Sequence, residues 1–291
     1  MGIAIAKNKI KTFLIVAIIA VVLYILVYFV ADMMGYGNYA IIIAGGVSIL
    51  TSVISYWNSA KLALSANGAK KATGQDEAYL RSLITPICAE AGIPVPELYV
   101  IEDDSPNAFA TGRNPSHAAV AATRGIMRTL TQDELRGVLA HEIGHIKNYD
   151  ILLQTVASIM VGAIIIISDI FSRSLLWGGT RRRSDRDSGN GLLAIIGLIL
   201  MIFAPIAGQL LRMCLSRNRE YLADATAADL TGNPESLASA LIKISSNPAP
   251  VMRASKATEG LYISDPLKKM ANLFSTHPPI EKRVEALRNM K

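Results

Sequence analysis

Apolar residues dominate two long windows near the start of the chain, residues 10–31 and 39–57, with Lys11 the one charge in either and at the edge of the first. Each window is long enough to cross the ~30 Å hydrocarbon layer of a membrane as a helix. The first exceeds the roughly 7 to 15 apolar residues of a secretory signal, and a second follows closely, so it reads as a retained anchor. Beyond them the pattern changes. Leu80, Leu83, Ile84 and Ile87 recur at helical spacing within residues 75–91, and Gly92 stands where a helix C-cap belongs. Residues 94–101 and 118–123 read as short strands of a small sheet, separated by a loop-like segment at 102–116. Thr131 and Glu134 have the spacing of a capping box, with Asp133 well placed at the positive end of the helix they open.

Two further apolar windows, residues 151–171 and 192–211, predict a helical hairpin, although Gln154, Asp169 and Gln209 interrupt them. The stretch 177–191 is rich in Gly, Ser, Arg and Asp, lacks apolar periodicity, and reads as a disordered connection. Helices are expected again at 212–230 and 234–245, then a Pro- and Ser-rich linker at 247–259 and a basic helix from Pro278 onward. This organises the chain as two transmembrane helices (1–57), a first part of a soluble domain (58–150), an apolar hairpin (151–211) and a second part of that domain (212–291). The predicted class is a mainly α membrane protein with four apolar helices and a small β-sheet.

Composition agrees: 51% of the chain is hydrophobic while only 6% is aromatic, which favours membrane spans over one large soluble core. The net charge of +6 would suggest nucleic-acid binding in a soluble protein, but here the Lys and Arg cluster beside apolar windows. Lys7, Lys9 and Lys11 precede the first window and Lys61, Lys70 and Lys71 follow the second, so the positive-inside rule puts both flanks in the cytoplasm. Cys88 and Cys214 are too few for a disulfide framework or a thiolate zinc site and read as inert thiols.

The chemistry is carried by His141-Glu142-Ile143-Gly144-His145, an H-E-x-x-H pattern inside the capped helix. Two imidazoles at i and i+4 project from one helical face and can share one zinc ion, with Glu142 beside the position of an attacking water. The plain alternative is a helix with two surface histidines; two of only four histidines falling in this pattern weakens it. A catalytic zinc needs a third protein ligand, and the best candidate is Glu220, in Arg217-Asn218-Arg219-Glu220-Tyr221-Leu222-Ala223-Asp224. Asp224, one turn on, either fixes a histidine tautomer as an outer carboxylate or pairs with Arg217 or Arg219 on the helix surface. His117 has no evident partner and reads as structural.

With these residues in view, the chain resembles the HtpX-type membrane metalloproteases, relatives of the CAAX prenyl proteases. The H-E-x-x-H helix, the later E-x-x-x-D helix and four apolar windows occur in the same order over nearly the full length. The resemblance implies a gluzincin-like peptidase core, one Zn2+ per chain, and proteolysis of misfolded or unfolded membrane proteins in quality control at a prokaryotic plasma membrane. It also draws attention to Pro106-Asn107-Ala108-Phe109 and to Ser275-Thr276-His277-Pro278-Pro279, which resemble segments lining the substrate cleft. Asn107 and Ala108 then mark an exposed edge for strand addition by an extended substrate, or simply a turn. His277, held extended before two prolines, either donates to the oxyanion of the tetrahedral intermediate or caps a helix.

The expected activity is hydrolysis in which zinc on His141, His145 and Glu220 polarises a peptide carbonyl and Glu142 moves the proton of a water to the departing amine. The rivals are a processing protease for prenylated C-termini and a metal-binding membrane scaffold or transporter using Asp169. A structural metal would call for four protein ligands, and the sequence offers three. One ion must reach both His145 and Glu220, so the intervening hairpin returns to the side it left. Arg173, Arg181, Arg182, Arg183 and Arg186 argue against an outside loop, whereas the length and apolarity of two full helices argue for crossing.

Overall fold

The computed structural model describes residues 2–178, 217–246, 262–263 and 278–290. Two long helices come first, α1 (Gly2–Met33) and α2 (Tyr39–Ala66), joined by a turn with Gly35 and Gly37 at positive φ. Within them, Phe13–Asp32 and Tyr39–Ala66 are long and apolar enough to cross a membrane. Their outer faces carry exposed Phe13, Val21, Ile42 and Ile49, while Ile15, Ile19, Leu23 and Leu26 pack inward. The second helix runs nine residues past the apolar window predicted for it, because Ala63 and Leu64 find a place under the sheet.

A four-stranded sheet follows, with strands β1 (Lys70–Lys71), β2 (Glu97–Ile101), β3 (Ala108–Gly112) and β4 (Ala118–Thr123) in the order β1-β2-β4-β3. β2 and β4 run parallel, and β3 is antiparallel to β4 with Phe109 opposite Ala121. The segment 102–116, read from sequence as a loop, therefore contains an edge strand. Both faces of the sheet are buried. Leu98, Val100, Ala110, Val120 and Ala122 face the main core, whereas Ile101, Phe109, Ala119 and Ala121 face the end of α2. A strand covered on both sides shows no polar–apolar alternation, so Ala108 to Gly112 left no period-2 trace. His117 closes the β3–β4 turn, its Nδ1 2.9 Å from Asn114 Oδ1, a partner the sequence had not suggested.

Helix α3 (Gly74–Ala91) ends on Gly92 in the left-handed conformation, as its sequence predicts. After short α4 (Arg124–Thr129) comes α5 (Gln132–Lys147), whose capping box forms: Thr131 Oγ1 accepts from Glu134 N–H at 3.3 Å, and Glu134 accepts from Thr131 N–H at 2.8 Å. Lys243 Nζ reaches the same Glu134 carboxylate at 2.8 Å, stapling α8 (Pro234–Ser246) to the start of α5. Only Asn148 and Tyr149 separate α5 from α6 (Asp150–Gly178), and Tyr149 turns the chain at φ 61°. Helix α7 (Arg217–Thr231) packs along α5, and α9 (Ile280–Arg288) lies on α7 and α8. Of the four predicted apolar helices, α1 and α2 are the two long and apolar enough to span among the described residues; α6 starts at the third window as a shorter apolar helix over Asp150–Ile164, and the fourth, 192–211, lies outside the described residues, as do Cys214 and most of the 177–191 connection. Cys88 is buried, and burial pushes its thiol up to about 11.

Candidate metal centre

Two glycines let the H-E-x-x-H helix meet its neighbours closely. A Cβ on Gly144 would sit 3.3 Å from Ala223 of α7, and one on Gly137 would come within 2.8 Å of the Leu237 backbone of α8. The close approach at Gly144 carries Glu220, on the turn of α7 before Ala223, onto the histidine face of α5. His141 Nε2 and His145 Nε2 lie 3.2 Å apart, with Glu220 oxygens 3.7 Å from the first and 3.5 Å from the second. These three donors form the one cluster of this kind among the described residues, and all three are buried.

Each ring is held through its other nitrogen. His141 Nδ1 is 2.9 Å from Asp224 Oδ1, and His145 Nδ1 is 3.3 Å from Asp150 Oδ2. Burial alone would raise the Asp224 carboxyl, but the Arg283 charge and the His141 hydrogen bond hold it far below the carboxylate range. An ionised carboxylate only accepts, so Nδ1 of His141 donates and its Nε2 carries the lone pair. Asp224 also takes two bonds from the fully buried Arg283, at 2.9 Å from Nε and 2.7 Å from Nη2. Arg283, not Arg217 or Arg219, is thus the cationic partner of Asp224. Arg219 instead approaches Asp150 at 3.4 Å.

The residues fit a divalent cation on two counts. Tetrahedral ligands about 2.0–2.1 Å from one ion stand about 3.3–3.4 Å apart, close to the 3.2 Å between the two Nε2 atoms. The buried charges also favour one: the carboxyls of Glu142, Asp150, Glu220 and Asp224 outnumber the cations His145, Arg219 and Arg283 by one. Burial, opposed by the His145 charge and assisted by that of Glu220, pushes the Glu142 carboxyl up to about 7, and a hydrogen bond from the Ala110 backbone reaches it from β3. Burial lowers His141; for His145 the same burial is outweighed by the Asp150 hydrogen bond and the Glu220 charge, which bring it to about 9.

The structure thus brings together His141, Glu142, His145, Glu220 and Asp224. Asn107 and Ala108 lie at the start of β3, both buried; Asn107 N–H donates to Thr123 Oγ1 at 2.9 Å, and the Ala108 carbonyl accepts from Ile263 N–H at 3.0 Å. His277 lies outside the described residues. Asp150 and Arg283 were not singled out from sequence. Asp150 follows His145 closely enough to have been noticed as a carboxylate near a ligand, but Arg283, in a basic helix, carried no such signal.

Comparisons with known proteins identify the family. The model of the family described as Peptidase family M48 matches residues 74–291, which include every donor of the cluster. A protein named Protease HtpX homolog from Dictyoglomus thermophilum is 46% identical over 99% of this chain and 94% of its own length. Another of that name from Caldanaerobacter subterraneus subsp. tengcongensis is 42% identical over 98% of this chain and 96% of its own. The crystal structure of S. mikatae Ste24p shares the fold, with a TM-score of 0.52 at 19% identity, over 99% of this chain and 67% of that one. From the family match over residues 74–291 and the relatives that align nearly end to end, the chain is a metallopeptidase and belongs to peptidase family M48.

Proposed function

We propose that the chain is a zinc endopeptidase that hydrolyses polypeptides beside the membrane holding its apolar helices. The observation that carries this reading is the convergence of His141 Nε2, His145 Nε2 and a Glu220 oxygen next to the buried Glu142 carboxyl. Two imidazoles and one carboxylate are a donor set of catalytic zinc. Bound there, zinc supplies polarisation of the scissile carbonyl and eases ionisation of a water. Glu142 takes the proton and delivers it to the leaving amine, a carboxyl serving first as base and then as acid. Asp224 and Asp150 keep the Nε2 lone pairs of His141 and His145 turned to the ion. His277, just ahead of Pro278 and Pro279, is assigned as a donor to the oxyanion, and β3 from Ala108 onward as the edge to which an extended substrate adds.

The substrates in this reading are misfolded or unfolded membrane proteins, and the process is quality control at a prokaryotic plasma membrane. The soluble parts, 58–150 and 212–291, face the cytoplasm together, and the hairpin between them crosses and returns. Support comes from the basic flanks of the two apolar windows and from the short turn that ties the metal helix to α6.

The test is metal content measured beside turnover of an unfolded membrane protein. Glu142→Gln should keep zinc and lose nearly all turnover, since the amide preserves shape but accepts no proton. Glu220→Gln should weaken metal retention instead. Full turnover by chelator-treated, metal-free protein would overturn the reading.

A further inference from the structure

The outer edge of β3 is already occupied. Tyr262 pairs antiparallel with Phe109 across that edge, and Ile263 N–H donates to the Ala108 carbonyl at 3.0 Å. The Ile263 carbonyl in turn accepts from Arg283 Nη1 at 3.2 Å, and that same nitrogen lies 3.6 Å from Glu220 Oε2. The pair therefore spans from the edge strand to within one guanidinium of the metal donors. Its side chains are seated as well: the Tyr262 ring meets Phe109 edge-on at 5.0 Å, and the Tyr262 hydroxyl donates to Asn67 Oδ1 at 3.0 Å, at the C-cap of α2. Both residues are almost fully buried.

We infer that Tyr262–Ile263 is an internal strand that holds the substrate edge of β3 in the resting protein and must be displaced before an extended peptide can align there. The inference rests on the proposed strand addition at this edge. The backbone groups engaged, an outward carbonyl of an edge strand and a fixed cation facing a carbonyl, are those an extended peptide substrate uses. An antiparallel rung of two residues is a short pairing, but because it belongs to the same chain it competes at the high effective concentration of an intramolecular ligand. A soluble peptide at low concentration is therefore excluded, whereas an extended segment held beside the site by its own membrane anchor meets the strand on equal terms. Tyr262 also ties this choice to α2, since its hydroxyl bond to Asn67 breaks when the strand leaves. The strand acts on the population of open protein, so it raises KM for a peptide and leaves kcat nearly untouched.

The test uses the full-length, zinc-loaded protein in detergent and a soluble extended fluorogenic peptide. Ile263→Pro lacks the N–H that bonds Ala108 and should lower KM on the order of tenfold, with kcat within about twofold, if the open form is about a tenth of the population. A second variant carries Phe109→Cys and Tyr262→Cys. Directly opposed antiparallel residues have the Cα spacing a disulfide needs, so oxidation locks the strand in place. Turnover should vanish on oxidation and return with reductant in the same preparation. A KM that is unchanged or raised in Ile263→Pro, or equal turnover by the oxidised and reduced cysteine pair, would overturn the inference; should the proline variant not fold, the cysteine pair decides alone. Glu142→Gln assayed in parallel separates the two readings: a dead Glu142→Gln beside an indifferent lock rejects only the internal strand, whereas an active Glu142→Gln rejects the peptidase assignment of the site.

Discussion

Replacing Asp224 by Asn should divide the two tasks of this carboxylate. Its Oδ1 is 2.9 Å from His141 Nδ1, and the carboxylate takes bonds of 2.7 and 2.9 Å from Arg283, with neither partner exposed. The amide keeps the shape and removes the charge. Mutating an outer hydrogen-bond partner of a metal-bound imidazole weakens metal about 10–100-fold, which is about 1.4–2.7 kcal/mol. Separately, Arg283 loses its two-point counter-charge and keeps only the Glu220 carboxylate, 3.6 Å from Nη1, and breaking such a pair from one side costs up to about 3–5 kcal/mol of folding stability. Zinc competition against a chromophoric chelator reads the first effect, and urea unfolding of the metal-free protein reads the second. Adding Arg283→Met to Asp224→Asn removes the under-compensated cation, so stability should recover by about 2 kcal/mol, while zinc affinity stays weak because the acceptor left to His141 is a neutral amide oxygen in place of a carboxylate. If affinity returns together with stability, Asp224 acts on the metal through packing alone. Unchanged affinity in the single variant would refute the orienting role altogether.

Three further outcomes follow from the same geometry. Gly144→Ala places a methyl 3.3 Å from Ala223 and Thr226, so α7 must retreat by a few tenths of an ångström; zinc binding should weaken and stability should fall by about 1–3 kcal/mol in the same competition and unfolding assays. Arg124 hydrogen-bonds Asp76 and Glu102 and holds both carboxyls below their usual values, so the stability they add is complete above about pH 5 and drains as the pH falls through their folded pKa values. Arg124→Met should therefore flatten the loss of stability between pH 7 and pH 3, by less than about 1 kcal/mol per partly exposed pair, in urea unfolding at the two pH values. A cysteine at Ser184 labelled only from the non-cytoplasmic side of intact membranes is expected if the hairpin crosses; cytoplasmic labelling rejects full crossing.

The parts of the site that were legible in the sequence are those that lie on one helix. His141, Glu142 and His145 share a turn of α5, and Glu220 and Asp224 share a turn of α7, so spacing alone set each group on a face. What joined the two helices was not legible, because it rests on what Gly144 lacks: the missing Cβ matters only once Ala223 is known to lie opposite. Asp150 sits beyond a reversal at Tyr149, whose left-handed backbone no residue pattern announced. Arg283 reaches Asp224 across 59 residues, and in its own helix it looked like one more solvated cation. The sheet was half legible for a related reason. β2 and β4 stand out as short apolar runs, whereas β3 sets one aromatic, Phe109, among small residues ending in Gly112 and is buried on both faces, and its identity as a strand comes from its neighbours.

The two-residue join between α5 and α6 makes the metal centre the fulcrum of a lever. Helix α6 has 29 residues, about 43 Å of arm at 1.5 Å per residue, and its near end is Asp150, the residue that holds His145. A tilt of about 5° swings the far end of such an arm by roughly 4 Å, yet it leaves the end at the fulcrum almost still. An apolar helix longer than the hydrocarbon layer around it can take up the mismatch by tilting. Mounting the ligands where the arm pivots, rather than along its length, keeps the distances between His141, His145 and Glu220 insensitive to a tilt of α6.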